Sequence, residues 1–366
     1  MKKIILSGGG TGGHIYPAVA VAEALKRKLG SDVEVLFAGA EGKMEMEKVP
    51  ALGYKIVGLP ILGVQRRFAW QNFLVPARVV KSIMRARAMI KEFKPDVVAG
   101  FGGYASAPTL WAAQRMGIPT VLQEQNSYAG LANKVLAGRA KSICVAYEGM
   151  ERFFPADKIV MTGNPLRSTV GRRKMLRAEA LKYYDLREDM PVLLVVGGSL
   201  GTRTLNNMMK SWIVTLGGEA PVQVIWQTGK FYEQEMKDFA KAYPTQNIRQ
   251  TAFIERMDYA YAAADLVISR SGACTVSELC LAAKPTIFVP SPNVAEDHQM
   301  KNARALADKH AAVVVADRDA VECAMDTALD LLKNPKRLKA LSINIEKLAI
   351  PDSADRVADE IIKLIR

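Results

Sequence analysis

The chain has 366 residues, 49% of them hydrophobic and 24% charged. That is globular usage, which excludes a disordered, collagenous or disulfide-stapled chain, and at ~100–200 residues per domain the length is that of two domains. The formal net charge of +13 sits mostly at the front: residues 1–160 hold 22 Lys+Arg against 12 Asp+Glu, residues 161–366 hold 28 against 25. No apolar run approaches the ~20 residues of a membrane span. Four widely spaced cysteines and three histidines offer neither C-x-x-C nor zinc spacing, which predicts a reduced, cytoplasmic protein with no structural metal.

In chain order, Lys3–Ser7 reads as a first strand, too short for the apolar core of a secretory signal. It runs into Gly8-Gly9-Gly10-Thr11-Gly12-Gly13-His14, and a helical pattern follows from Pro17 to Leu29, with Pro17 in its first turn. Val33–Ala38 is a second strand, and 96–99 and 119–123 are further short apolar runs. The alternation restarts at Pro191 with Val-Leu-Leu-Val-Val over 192–196. Such runs between helices indicate parallel sheets covered on both faces, an α/β fold of two Rossmann-like, doubly wound domains. Residues 95–123 and 264–289 echo one another, as do 4–25 and 192–209. A turn signal at Gly163-Asn164-Pro165, after a strand at 158–161, divides the chain into residues 1–163 and 164–349. A final amphipathic helix at 352–366 has Asp352 or Ser353 as its cap and Val357, Ile361, Ile362, Leu364 and Ile365 as its apolar stripe.

Three glycine-rich turns link strand to helix: Gly8–His14, Phe101-Gly102-Gly103-Tyr104, and Gly197-Gly198-Ser199-Leu200-Gly201-Thr202. Glycines there let backbone N–H groups approach an anion, helped by the positive end of the helix. The first turn formally fits the dinucleotide pattern G-x-G-x-x-G, although the second strand ends at Ala38-Gly39 with only Glu41 beyond, and a tight packing turn is the plain alternative. Three such turns split over two domains point to one interdomain cleft. His14, just after the first, is a candidate general base for a sugar hydroxyl. In Ser271-Gly272-Ala273-Cys274-Thr275-Val276-Ser277-Glu278, Glu278 lies about one turn into a helix, where its carboxylate either receives ribose hydroxyls or closes a capping box. Two polar clusters, Gln123-Glu124-Gln125-Asn126 and Glu296-Asp297-His298-Gln299, follow strands and suit sugar hydroxyls or a solvated loop. Arg167 is placed to face a diphosphate or solvent. Asp317-Arg318-Asp319 precedes a helix and reads as its cap, so no metal is expected.

Between Lys48 and Lys91 there are nine basic residues and no acidic one. Arg66, Arg67, Arg78, Lys81, Arg85 and Arg87 interleave there with Phe68, Trp70, Phe73, Leu74 and Val75. That pattern suits an anionic membrane surface, each cation adding roughly 1 kcal/mol. A nucleic-acid groove is disfavoured because no nucleic-acid motif accompanies it.

Taken together, GGGTGGHIYPA (8–18), FGGYASAP (101–108), EQN (124–126), GNPLR (163–167), GGSLGTRTLN (197–206), FIERM (253–257), SRSGACTVSE (269–278) and EDHQMKNA (296–303) resemble the MurG family of glycosyltransferases, which add N-acetylglucosamine to lipid I in peptidoglycan synthesis. The resemblance spans nearly the whole chain. It implies a GT-B fold whose last helix, 350–366, packs back on the N-terminal domain, and a peripheral enzyme at the cytoplasmic face of the bacterial inner membrane, without nucleic-acid partner or cofactor. By this likeness UDP-GlcNAc lies in the C-terminal domain. Ile254 meets uracil through its backbone, the 273–278 stretch (Ala273, Cys274, Thr275, Val276, Ser277, Glu278) holds the nucleotide with Glu278 on the ribose, Ser199 and Arg167 face the diphosphate, and Asn126 and Gln299 face the sugar. Thr11, Gly12 and Gly13 lie near the sugar and the acceptor phosphates, with Tyr104 on the acceptor side, and His14 is the candidate base with Glu124 as its rival. Cys274 stands where relatives often carry Leu. The competing readings are a UDP-sugar transferase with another lipid acceptor, an NAD(P)-dependent oxidoreductase, and a catalytically silent nucleotide-sugar binding protein.

Overall fold

The computed structural model describes residues 1–10, 12–61, 75–166, 177–198 and 200–365. The chain forms two compact units, Met1–Arg167 with Ile350–Arg366, and Ser168–Ala349.

The first unit opens with β1 (Lys2–Ser7), α1 (Gly12–Leu29), β2 (Val33–Ala40), α2 (Glu45–Ala51), β3 (Lys55–Leu59), α3 (Val75–Phe93) and β4 (Val97–Gly100). It continues through α4 (Ser106–Arg115), β5 (Thr120–Glu124), α5 (Leu131–Leu136), β6 (Ser142–Val145) and β7 (Ile159–Met161). The strands pair in parallel in the order β3-β2-β1-β4-β5-β6-β7. Side chains alternate across a strand, so β1 feeds two cores. Ile4 and Leu6 pack with α1, and Ile5 packs against Ala86, Met89 and Ile90 of α3 and Leu110 of α4.

The second unit runs α6 (Arg177–Tyr183), β8 (Val192–Val196), α7 (Arg203–Thr215), β9 (Glu219–Gln227), α8 (Glu233–Ala242), β10 (Gln246–Thr251), α9 (Met257–Ala263) and β11 (Leu266–Ser269). Then come α10 (Ala273–Leu281), β12 (Thr286–Phe288), α11 (His298–Ala307), β13 (Val313–Val314), α12 (Ala320–Leu332) and α13 (Pro335–Glu346). Its parallel sheet has the order β10-β9-β8-β11-β12-β13. Every side chain of the run 192–196 is buried, as expected of a strand covered on both faces.

The closing helix α14 (Ser353–Ile362) belongs to the first unit. Val357, Ala358 and Ile361 enter the core built by α1, with Ile362, Leu364 and Ile365 packed at its edge; burial of a Val or Ile side chain contributes ~1.5–3 kcal/mol. Arg27–Asp355 and Lys28–Asp359 ion pairs, both 2.9 Å, flank this seam. Asp352 takes the N-cap position in a left-handed conformation with no side-chain cap bond, and the Ser353 hydroxyl donates to the Ile350 carbonyl instead, so neither expected cap closes the helix through its side chain.

In each sheet the chain reverses direction of growth at one seam, β1/β4 in the first unit and β8/β11 in the second. Strand order reverses there, the crossover helices leave to opposite sides, and a crevice opens at the carboxyl ends of the strands.

Candidate active site

In the first unit the loops after β1 and β4 meet over the reversal seam. The helix α1 starts at Gly12, earlier than the pattern from Pro17 suggests, and Pro17 stands inside it as the sixth residue. The glycines carry the helix back toward the strand, and Pro17 removes only the bond that would reach the Gly13 carbonyl. His14 is thus the third helical residue. A Cβ placed on Gly102 would stand 2.9 Å from both Cε1 and Nδ1 of its ring, so the imidazole lies against the β4 loop. Gly103, with φ +79°, presses on the Gly9 backbone where a Cβ would overlap the carbonyl oxygen. Half-exposed Tyr104 stands beside Gly10.

Beneath this loop lies a group that sequence reading misses. Glu45, the first residue of α2, is fully buried. Its carboxylate accepts from the Gly10 N–H at 3.1 Å and from the Ala40 N–H at 3.0 Å, and it fills the space under Gly9 and Gly39. The Gly10 amide is therefore held from inside the protein. A glutamate 35 residues away carries no local signal of this role.

The polar cluster at 123–126 does not wholly follow its strand, for Gln123 and Glu124 are the last two residues of β5. Glu124 is 2% exposed. Oε1 accepts from the Asn126 backbone N–H (3.1 Å) and side-chain amide (3.3 Å), and Oε2 accepts from the Gly130 N–H (3.0 Å) and Asn133 Nδ2 (2.8 Å). A carboxylate has about four acceptor positions, and these four N–H contacts fold the 126–133 segment around it. Gln125 donates to the Phe101 carbonyl at 2.7 Å and also to Gln123 Oε1, while Asn164 donates to the Gln125 carbonyl at 3.0 Å. This buried amide ladder ties the end of β5 to the β4 loop.

In the second unit a cavity of about 770 Å³ opens at the β8/β11 seam, within the ~300–1,000 Å³ of small-molecule sites. Gly197, Gly198, Gly201 and Thr202 from the β8 loop line one side, Arg270, Gly272 and Thr275 from the β11 loop and α10 the other, and Ser291, Asn293 and Gln299 the rim. Gly201, φ +85°, lets the β8 loop press on the β9 loop, where a Cβ would overlap the Thr228 carbonyl oxygen. Two helix starts, α7 and α10, aim N–H groups at this space. Gln299 has its Oε1 on the Ser291 N–H at 2.9 Å, and its carbonyl accepts from the Ser271 hydroxyl at 2.8 Å, which joins the rim to the β11 loop.

Arg270 and Arg203 are cations of this cavity that sequence reasoning passes over. Arg270 stands inside the quoted 269–278 motif, one residue past β11, and that position was the available signal. Its guanidinium donates to Asp317 Oδ1 and to the Val289 carbonyl at 2.8 Å, and Asp317 Oδ2 accepts from the Thr204 hydroxyl at 3.1 Å. Asp317 therefore lines the cavity rather than capping α12, whose N-cap is Asp319 with no side-chain bond. Glu278 does not close a capping box either: α10 is capped by Gly272 without a side-chain bond, Glu278 is its sixth residue, and its Oε2 accepts from the Tyr261 hydroxyl at 3.0 Å. Burial, reinforced by the nearby Glu278 charge, pushes the Cys274 thiol up to about 12. Val276 points into the core, and Ile254 is 4% exposed in the turn between β10 and α9.

Thr11, Arg66, Arg67, Phe68, Trp70, Phe73, Leu74, Arg167 and Ser199 lie outside the described residues. Of the basic stretch, half-buried Arg78 and exposed Lys81, Arg85 and Arg87 stand on α3. They share it with the exposed Val80 and Met84, while Arg85 Nε donates to the Gly58 carbonyl at 2.8 Å. Among the described residues no helix is long and apolar enough to cross a membrane, and no group of three or more His, Cys, Asp or Glu is placed to hold a metal ion.

Comparison with known proteins bears on both units. Residues 4–145 match the glycosyltransferase family 28 N-terminal domain, and residues 192–357 match the glycosyltransferase family 28 C-terminal domain. The chain is 54% identical, over 99% of its length and 98% of the relative's, to the UDP-N-acetylglucosamine--N-acetylmuramyl-(pentapeptide) pyrophosphoryl-undecaprenol N-acetylglucosamine transferase of Parabacteroides distasonis. It is 53% identical to the protein of that name from Bacteroides thetaiotaomicron, over 99% and 97% of the two chains. The crystal structure of Acinetobacter baumannii MurG superposes with a TM-score of 0.78 at 30% identity, covering 99% of this chain and 100% of that one.

Proposed function

Since this chain belongs to glycosyltransferase family 28, matching its N- and C-terminal domains in turn, we propose that it transfers N-acetylglucosamine from UDP-GlcNAc to the 4-hydroxyl of N-acetylmuramyl-(pentapeptide) pyrophosphoryl-undecaprenol, lipid I, with inversion and release of UDP. The observation that carries this reading is 50–54% identity with transferases of that name over essentially the whole chain.

The second unit is the donor domain in this reading. Its cavity supplies much of what a nucleoside diphosphate sugar needs: two helix starts and glycine amides for the diphosphate, and Arg270 braced by Asp317 as a cation; Glu278, three residues along α10 from the lining residue Thr275, is assigned to the ribose hydroxyls. Thr275 and Gln299 also line the cavity. As the anomeric bond breaks, charge gathers on the leaving diphosphate. Preorganised N–H groups and guanidinium stabilise it without reorganising.

The first unit is the acceptor domain. An inverting attack needs one base to take the proton of the sugar 4-hydroxyl. His14 is assigned that role, and Glu124 is assigned to shaping the loop that carries Asn126, because four N–H donors already engage its carboxylate. Positioning contributes much of the rest, since effective molarities reach ~10⁵ M or more. The acceptor is lipid-linked, so the enzyme works as a peripheral protein at the cytoplasmic face of the membrane. The cationic, partly apolar outer side of α3 meets anionic headgroups there.

The test is UDP release from UDP-GlcNAc with lipid I and a panel of other lipid-linked sugars as acceptors. Release with lipid I supports the assignment, release only with another acceptor corrects the substrate, and silence with all of them overturns it. His14→Ala is expected to lower kcat about 10²–10⁴-fold, the span of a general base, with UDP affinity nearly unchanged. Equal loss of both would remove His14 from the chemistry.

A further inference from the structure

One buried hydroxyl is bonded to the Glu278 carboxylate. Tyr261 stands on α9, is 4% exposed, and donates its hydroxyl proton to Glu278 Oε2 at 3.0 Å. Glu278 stands on α10 three residues beyond Thr275, which lines the cavity, so the two share one helix face. A carboxylate on a rotatable stem serves a ribose well only when its plane is fixed. Two ribose hydroxyls must find two acceptor positions at once, and freezing a Glu side chain costs rotamer entropy. A donor already in place on one oxygen removes part of that cost before the nucleotide arrives.

The chemistry of the pair suits a fixed arrangement. Tyr261 has a single proton to give, and burial together with the Glu278 charge raises its pKa well above the ordinary value, so it remains a donor throughout the working range. One turn back on α10, Cys274 adds no second charge, since its thiol is neutral. Neither side chain lines the cavity itself, but Glu278 is partly exposed whereas Tyr261 is buried, so an effect of Tyr261 on the donor runs through the carboxylate.

We propose that Tyr261 is a positioning residue for nucleotide recognition, orienting the Glu278 carboxylate toward the ribose 2′- and 3′-hydroxyls of the uridine diphosphate. The inference rests on the reading of Glu278 as the ribose group, and the experiment separates the two.

Equilibrium binding of UDP and of 2′-deoxy-UDP is measured for the wild type, Tyr261→Phe, Glu278→Gln and the double variant, with kcat and KM for UDP-GlcNAc alongside. Phenylalanine keeps the ring, and thermal unfolding checks each fold. In Tyr261→Phe, UDP is expected to bind about tenfold more weakly, or ~1.4 kcal/mol, while 2′-deoxy-UDP, which offers Glu278 one hydroxyl instead of two, weakens by a smaller factor. KM should rise more than kcat falls. The double variant should match Glu278→Gln, because Tyr261 acts through that carboxylate.

If Glu278→Gln loses the preference for UDP while Tyr261→Phe keeps it, the positioning role is overturned and the ribose assignment stands. If both keep it, the ribose assignment falls and the proposal with it. Equal weakening of both nucleotides by Tyr261→Phe, or a double variant markedly worse than Glu278→Gln, assigns Tyr261 to packing alone. Should Tyr261→Phe fail to fold, Tyr261→His, which keeps a donor, must retain the preference for UDP or the proposal fails.

Discussion

A close approach of two backbones in the first unit makes a quantitative prediction. Gly103 holds φ +79°, and a Cβ there would overlap the Gly9 carbonyl oxygen and stand 3.0 Å from the nitrogen and carbonyl carbon of Gly9. Gly103→Ala therefore incurs two costs. The left-handed conformation costs an L-residue ~1–2 kcal/mol. Overpacking adds ~1–3 kcal/mol, and the neighbour cannot retreat freely. The Gly8 N–H is bonded to the Ala38 carbonyl at 3.3 Å, and the Gly10 N–H is held by buried Glu45. The sum, ~2–5 kcal/mol, should lower the melting temperature of this unit by roughly 4–20 °C at ~2–4 °C per kcal/mol. Gly117→Ala is the internal control: its φ is +76°, but an added Cβ meets nothing within 4 Å, so only the first cost applies. Calorimetry of the two variants isolates the steric term as their difference. A UDP-release assay should show kcat lowered more by Gly103→Ala than UDP affinity, because His14 packs on the adjoining Gly102. A Gly103→Ala protein melting no lower than Gly117→Ala would refute the argument that the two loops are wedged together.

Two further predictions concern the surface and the thiols. Replacing Arg66, Arg67, Arg78 and Lys81 by Gln should weaken sedimentation with anionic vesicles by about fivefold per cation lost, the equivalent of ~1 kcal/mol each; unchanged binding would remove the membrane reading. Burial pushes the thiols of Cys144 and Cys280 up from 9.0 to about 12. Because the folded value exceeds the unfolded one, their contribution to stability is complete below pH 9 and is lost as pH climbs toward 12. At pH 8 a thiol reagent should label exposed Cys323 rapidly and these two only as the protein unfolds. Rapid native labelling of either would contradict their burial.

Much of the fold is legible in the one-dimensional order of residues, because its causes are local. A run such as 192–196, short, rich in Val and bounded by Pro191 and Gly197, reads as a strand covered on both faces, and the glycines after β1, β4 and β8 mark where backbone must turn tightly or approach closely. The stripe of Val357 and Ile361 declares a helix with one buried face. These follow from side-chain period and backbone sterics, which act over a few residues. What the chain order leaves open is the partner of each polar group. Glu45 reaches back 35 residues to Gly10, Asp317 reaches 47 residues to Arg270, and Tyr261 selects Glu278 across two helices. Glu124, a plausible base by position, turns out to be wrapped by four N–H donors. Burial of a polar group demands a partner, yet only the packing of distant elements decides which group comes within 3 Å, and that choice separates a carboxylate that shapes a loop from one that faces a ligand.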